Sequence, residues 1–171
     1  MFRTDRRSFL SASAAAAGAM VLGGAPLAAA DSQQKRLQLG VIGVGWYGMV
    51  DAEAAIKCGD VDVAAICDVD SDHLETSAAQ LQKLQGKRPQ TFKQYEDLLR
   101  VKSLDAVIIA TPPHWHALQL LAALEQGKDV YCEKPLAYDL REGQAMVAAA
   151  ERSKSIVQVG FSTNLAHLLA S

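Results

Sequence analysis

Gly43-Val44-Gly45-Trp46-Tyr47-Gly48 sets three glycines in the spacing G-x-G-x-x-G, with which a backbone turn can approach a pyrophosphate. Gly43 permits a tight turn, Gly45 leaves the backbone bare toward a phosphate, and Gly48 lets a following helix lie close to the preceding strand. The start of such a helix presents free N–H groups and the positive end of its dipole. Trp46 and Tyr47, inside the motif, count with the three glycines as expected cofactor-binding residues. Twenty positions beyond Gly48 stands Asp68, closing the run Ile66-Cys67-Asp68. A carboxylate there accepts hydrogen bonds from both ribose hydroxyls of an adenosine and repels a 2′-phosphate. Asp70 and Asp72 add negative charge and no Arg or Lys follows closely, so NAD is expected in preference to NADP.

The motif needs a strand before it and a helix after it, and the chain offers both. Apolar runs at 37–43, 61–67, 90–92, 104–110, 129–132 and 156–159 read as strands. Between them lie helical stretches at 47–58, 70–84, 94–100, 114–126 and 139–153. Asp70 caps the second of these, with Leu74, Ala78, Leu81 and Gln85 on one face. Gly127 ends the fourth, and Asp139 with Glu142 opens the fifth as a capping box. The near-unbroken apolar run 104–110 suits a strand covered on both faces. Strands alternating with helices mean parallel βαβ units, hence one α/β domain with a Rossmann-type, doubly wound sheet.

Composition fits one globular domain. Of 171 residues half are hydrophobic and 21% charged, and a formal charge of −2 supplies no basic stripe for nucleic acid. The three cysteines, Cys58, Cys67 and Cys132, are an odd set in apolar surroundings, so buried thiols are expected instead of a disulfide framework. His114 and His116 lie two apart, a spacing that puts them on different faces of a helix. No carboxylate or thiol cluster joins them, so no metal site is expected.

Two further segments point to a family. Thr111-Pro112-Pro113-His114-Trp115-His116-Ala117 follows the fourth strand, and Tyr131-Cys132-Glu133-Lys134-Pro135-Leu136 follows the fifth. In order behind the glycine turn, they resemble the Gfo/Idh/MocA oxidoreductases, with Glu133-Lys134-Pro135 the specific signature and residues 37–160 covered. The resemblance implies Lys134 beside the nicotinamide as the catalytic acid or base, with Glu133 next to it. It also implies Thr111 and Pro112 lining the dinucleotide cleft and His116 or Trp115 touching the cofactor, and members of the family often carry a cis bond before the proline. Its implied chemistry is hydride transfer on a sugar or polyol, completed by a second domain that would follow residue 160. Some exported members are glycoside hydrolases that use bound NAD in a transient oxidation. A catalytically inactive NAD-binding fragment is the third reading.

Both ends lie outside that domain. Arg6-Arg7 before Ser8-Phe9-Leu10, an Ala/Gly-rich run and Ala28-Ala29-Ala30 resemble a cleaved twin-arginine export signal over residues 1–30. Export to the periplasm or beyond is the expectation, with a linker at 31–36 and no stable membrane span, since the run holds too few large apolar side chains. Cleavage after Ala30 takes the formal charge from −2 to −4. Residues 161–171 read as a truncated tail in which Asn164 and His167 are the polar candidates. Without the substrate domain, apolar surface would be left on which a homo-oligomer could form.

Overall fold

The computed structural model describes residues 35–161. The export signal, most of the linker, Asn164 and His167 lie outside the described residues. Strands β1 (Leu37–Ile42), β2 (Val61–Cys67), β3 (Gln90–Phe92), β4 (Ala106–Ile109), β5 (Asp129–Glu133) and β6 (Val157–Gly160) form one sheet in the order β3-β2-β1-β4-β5-β6. Every neighbouring pair is parallel. Helices α1 (Trp46–Cys58), α2 (Ser71–Gln85), α3 (Tyr95–Leu99), α4 (Pro113–Glu125) and α5 (Leu140–Arg152) join them. The strand order reverses between β1 and β4, and that reversal opens a crevice at their carboxyl ends. The expected doubly wound α/β sheet is therefore present.

Alternation along each strand feeds two cores. Leu39 and Val41 of β1, with Ile66 and Ile108, meet Met49, Ala52, Leu74, Ala78 and Leu81 of α1 and α2. Ile42, Val107, Ile109, Val130 and Cys132 point the other way, onto Leu98, Leu99, Ala117, Leu120, Ala123 and Met146. Both faces of the central strands are covered, which is why their sequences run apolar without polar alternation.

The helix ends follow their local chemistry. Asp70 accepts from the backbone N–H of Asp72 at 2.8 Å and His73 at 3.2 Å. Gly127, at φ 67°, closes α4 as a Schellman turn, with N–H bonds from Lys128 to Ala123 and from Gly127 to Leu124, both 3.0 Å. The α5 capping box departs from the usual form. Asp139 accepts from the Glu142 N–H at 2.8 Å, but the Glu142 carboxylate accepts from Tyr138 N–H at 3.0 Å instead of that of Asp139. Gln85, expected on the packed face of α2, does more than pack. β3 pairs with β2 only from Ala65 onward, and the Gln85 amide bonds Val63 N–H at 2.9 Å and Val63 C=O at 2.8 Å.

One expectation fails here. Cys67 and Cys132 are buried, but Cys58 is exposed. It sits at the last position of α1, off the stripe of Gly48, Met49 and Ala52 that the helix buries. Burial pushes the Cys67 and Cys132 thiols up to about 12, which leaves them protonated and inert as nucleophiles.

Candidate functional site

The glycine turn links the end of β1 to α1 at the crevice. Gly43 adopts φ 87°, and a Cβ there would lie 2.9 Å from the Ala110 carbonyl and the Thr111 nitrogen. Only glycine relieves both constraints. A Cβ on Gly48 would overlap the Gly43 carbonyl oxygen and press on Ala110, so α1 can lie this close to the turn only without one. Gly45 is different. The nearest atoms to its absent side chain belong to the His73 ring, at 3.8 Å, so the fold leaves this position open. Gly45 is also the N-cap of α1, with no side chain capping the first N–H groups. A bare helix start with an open approach is the cradle a pyrophosphate needs.

Two residues hold the turn in place. Asp68 Oδ2 accepts from Val44 N–H at 2.9 Å, and the buried Ser77 hydroxyl donates to Val44 C=O at 2.9 Å. The Val44 peptide is thus bonded on both sides, one bond coming from the end of β2 and one from α2. Asp68 Oδ1 accepts from Asp70 N–H at 3.0 Å. Each carboxylate oxygen has a second lone pair for a ribose hydroxyl.

The opposite wall comes from the β4–α4 and β5–α5 turns. Thr111 donates its hydroxyl to Gln119 Oε1 at 2.6 Å, and Pro112 caps α4 without a side-chain bond. The Lys134–Pro135 bond is cis. Lys134 is exposed, with Nζ 5.0 Å from the centroid of the Tyr47 ring, a cation–π contact that ties the β5 turn to α1. Trp46, 81% exposed, stands edge-on to Tyr47 at 5.0 Å.

His116 is placed otherwise than expected. It is 1% exposed, and its two ring nitrogens lie 2.9 Å from Pro135 C=O and 2.7 Å from Thr111 C=O. Helix α4 buries it one turn in, together with Gln119. The ring offers no free face to a cofactor; it ties the two turns of this wall together. His114 and Trp115 are exposed. Among the described residues no group of His, Cys, Asp or Glu is positioned to hold a metal.

The sequence reading did not mark Asp51. From α1 it faces β5, and its Oδ2 is buried with no hydrogen-bond partner among the described residues. Burial first, then the Glu133 carboxylate, pushes it up to about 6. Glu133 is 4% exposed, accepting from the Tyr131 hydroxyl at 3.3 Å and from Lys134 N–H at 3.2 Å. A Cβ on Gly160 would overlap Glu133 Oε1, so β6 leaves room for that carboxylate. Burial, with Asp51 and Glu133, pushes the Tyr131 hydroxyl up to about 12.

Asp51 carries a cost that can be read from stability. The folded chain keeps its proton up to about pH 6, and the unfolded chain releases it near pH ~4. Stability therefore falls as pH rises through that window and stays lower above it. Asp51→Asn is expected to stabilise the chain at pH 7 by about 1 kcal/mol, allowing for solvent screening, or roughly 4 °C in Tm. The gain should vanish below about pH 4. Calorimetric scans at pH 7 and pH 3.5 check it; an equal gain at both would show that ionisation is not the cause.

Fold and site together define a dinucleotide-binding α/β domain, with a glycine turn against one wall and a lysine on the other. The family described as "Oxidoreductase family, NAD-binding Rossmann fold", Gfo/Idh/MocA, matches residues 37–161, and the chain belongs to that family. A glycosyl hydrolase family 109 protein of Stenotrophomonas maltophilia is 35% identical over 139 residues, 78% of this chain and 30% of its own length. One from Shewanella sp. (strain W3-18-1) is 33% identical over 69% of this chain and 27% of its own. Among solved structures, a myo-inositol 2-dehydrogenase from Lactobacillus plantarum superposes with TM-score 0.69 at 28% identity. It covers 77% of this chain, and 38% of that chain is matched. An NAD binding oxidoreductase from Klebsiella pneumoniae gives 0.66 at 33% identity, over 79% and 37%. The chain thus spans about a third of the length of these relatives.

Proposed function

We propose that this domain holds NAD with the pyrophosphate at the start of α1 and the adenosine ribose on Asp68. The complete protein then carries out redox chemistry on a sugar or polyol. One observation carries the reading: the Val44 peptide is held by Asp68 and Ser77 while the first N–H groups of α1 are left uncapped. Those two bonds hold the turn without a ligand, which lowers the ordering cost of binding. Gly43, Gly45 and Gly48 form the floor, Trp46 and Tyr47 its inner edge, Thr111 and Pro112 the facing wall. NAD, when bound, supplies a hydride acceptor. Lys134, exposed beside the Tyr47 ring, takes or returns the proton of the reacting hydroxyl, and Glu133 fixes the Lys134 backbone. A carboxylate at Asp68 favours NAD over NADP.

The names of the relatives favour a second reading of the overall reaction, glycosidic cleavage with no net redox change. Product analysis of the complete protein separates the two: accumulating NADH marks a dehydrogenase, and cleaved glycoside without NADH marks a hydrolase. NAD binding with neither product would mark an inactive domain. Export through the twin-arginine route rests on the arginine pair and the alanine-rich run of the leader. Among the described residues no helix is long and apolar enough to cross a membrane.

The binding site is tested directly with the chain. Titration calorimetry should show NAD binding that Asp68→Ala weakens about 30-fold, the loss of hydrogen bonds to a charged acceptor. An unchanged affinity in a variant still folded by circular dichroism would remove the ribose from Asp68.

A further inference from the structure

A proton carrier at the β5 turn needs its ammonium held in place, and the backbone alone does not hold it. Lysine has a flexible four-carbon stem that loses much rotamer freedom when it is fixed. Lys134 is exposed and makes no salt bridge among the described residues. Its neighbour Glu133 is turned inward, accepting from the Tyr131 hydroxyl and from the Lys134 backbone N–H. Those bonds fix the main chain of the turn and leave the ammonium to another partner.

That partner is the Tyr47 ring. Lys134 Nζ stands 5.0 Å from its centroid, inside the roughly 6 Å over which a ring face attracts a cation. The ring is itself held. Tyr47 is the second residue of α1 and precedes Gly48, where the helix lies so close to the Gly43 carbonyl that a Cβ would overlap it. Trp46 stands edge-on to the ring at 5.0 Å. The Tyr47 hydroxyl is among the groups that raise that of Tyr131, so the tip of the ring lies toward β5. A carboxylate in this place would grip an ammonium harder, but it would also favour the charged form. A ring face orients the group with a weaker hold on its charge.

We propose that Tyr47 is a positioning residue for the reaction, the face of its ring holding the Lys134 ammonium in place for proton transfer. This role is separate from lining the dinucleotide, and it rests on the reading that Lys134 carries the proton. Tyr47→Leu keeps an apolar side chain but removes the ring face. Tyr47→Phe keeps the face and removes only the hydroxyl.

The experiment has two readouts. The first is NMR of the chain with isotope-labelled lysine and no NAD. The Lys134 ε-methylene signal, identified by its loss in Lys134→Met, should lie upfield of the other lysines through the ring current of Tyr47. It should stay there in Tyr47→Phe and return among the others in Tyr47→Leu. The second is kcat of the complete protein at saturating NAD, where a loss of cofactor affinity drops out. Tyr47→Leu should lower kcat about 10- to 100-fold, the effect of a misplaced reacting group, and Tyr47→Phe should recover most of that. Placed on Lys134→Met, Tyr47→Leu should lower kcat by no more than about twofold further, since both changes remove one interaction. An unshifted Lys134 signal in wild type overturns the contact, even where Tyr47→Leu fails to fold. Equal kcat losses from Tyr47→Leu with and without Lys134 overturn the positioning role and leave that of Lys134 standing. A Lys134→Met protein with near wild-type kcat overturns the reading of Lys134 itself, and this proposal with it.

Discussion

Gly48→Val should unfold the domain at temperatures where Gly45→Val leaves it folded, although both change a glycine of the same turn. A side chain at 48 overlaps the Gly43 carbonyl oxygen, a backbone atom that cannot swing aside. Gly43 is itself fixed at φ 87°, close against the end of β4. Relief therefore requires α1 to move off the sheet, which strips contacts from Met49 and Ala52. The expected cost is about 4 kcal/mol, or roughly 15 °C in Tm for a domain of this size. A side chain at 45 meets only the His73 ring at ordinary contact distance, so Tm should move by less than about 3 °C. NAD affinity is where Gly45→Val should be felt, with binding lost at millimolar concentration because the side chain occupies the approach to the N–H groups of α1. Thermal melts with calorimetric titration read both effects. Similar melting of the two variants would mean that the turn is not packed as described.

Lys134→Met carries the second large effect, and it falls on chemistry while sparing the fold. Lys134 is exposed and its Nζ makes no salt bridge among the described residues; its one close aromatic partner is Tyr47. Loss of that contact removes less than about 1 kcal/mol, so Tm and NAD affinity should stay near wild type. Removing a positioned acid or base typically lowers kcat by about 100- to 10,000-fold. The complete protein is the material for that measurement. Either reaction reading predicts the loss, because a sugar hydroxyl must give up its proton in a dehydrogenase and in a hydrolase that begins by oxidation. A kcat within threefold of wild type would take Lys134 out of the reaction.

The elements and the turn were legible because they are decided locally. Gly43, Gly45 and Gly48 act through missing side chains, Asp70 through the N–H groups two and three residues on, Gly127 through a left-handed φ. Strand and helix limits moved by a few residues; β4 begins at Ala106, not at 104, because Leu104 belongs to the turn that leads into the strand. The motif around His116 points to the cleft, but the ring lies beneath it, since helical periodicity sets its direction and the Pro135 carbonyl, 19 residues on, receives it. The apolar neighbours of Cys58 in sequence suggest burial, but a helix buries one stripe, not a run of sequence.

Chain order alone settled the succession of parallel βαβ units, the glycine cradle and the carboxylate one strand away, for each depends on contacts within a few residues or on a repeating period. The three-dimensional arrangement decided what lies beside what. Asp51 meets Glu133 because the reversal of strand order at β1 and β4 brings α1 over toward β5, across more than 80 positions of sequence. His73, in the first turn of α2, reaches Asp68 and Gly45 because α1 and α2 both start at the carboxyl end of the sheet. Burial, and with it the charge each group holds, belongs to that packing: a carboxylate has no altered affinity for protons until other parts of the chain exclude water from it.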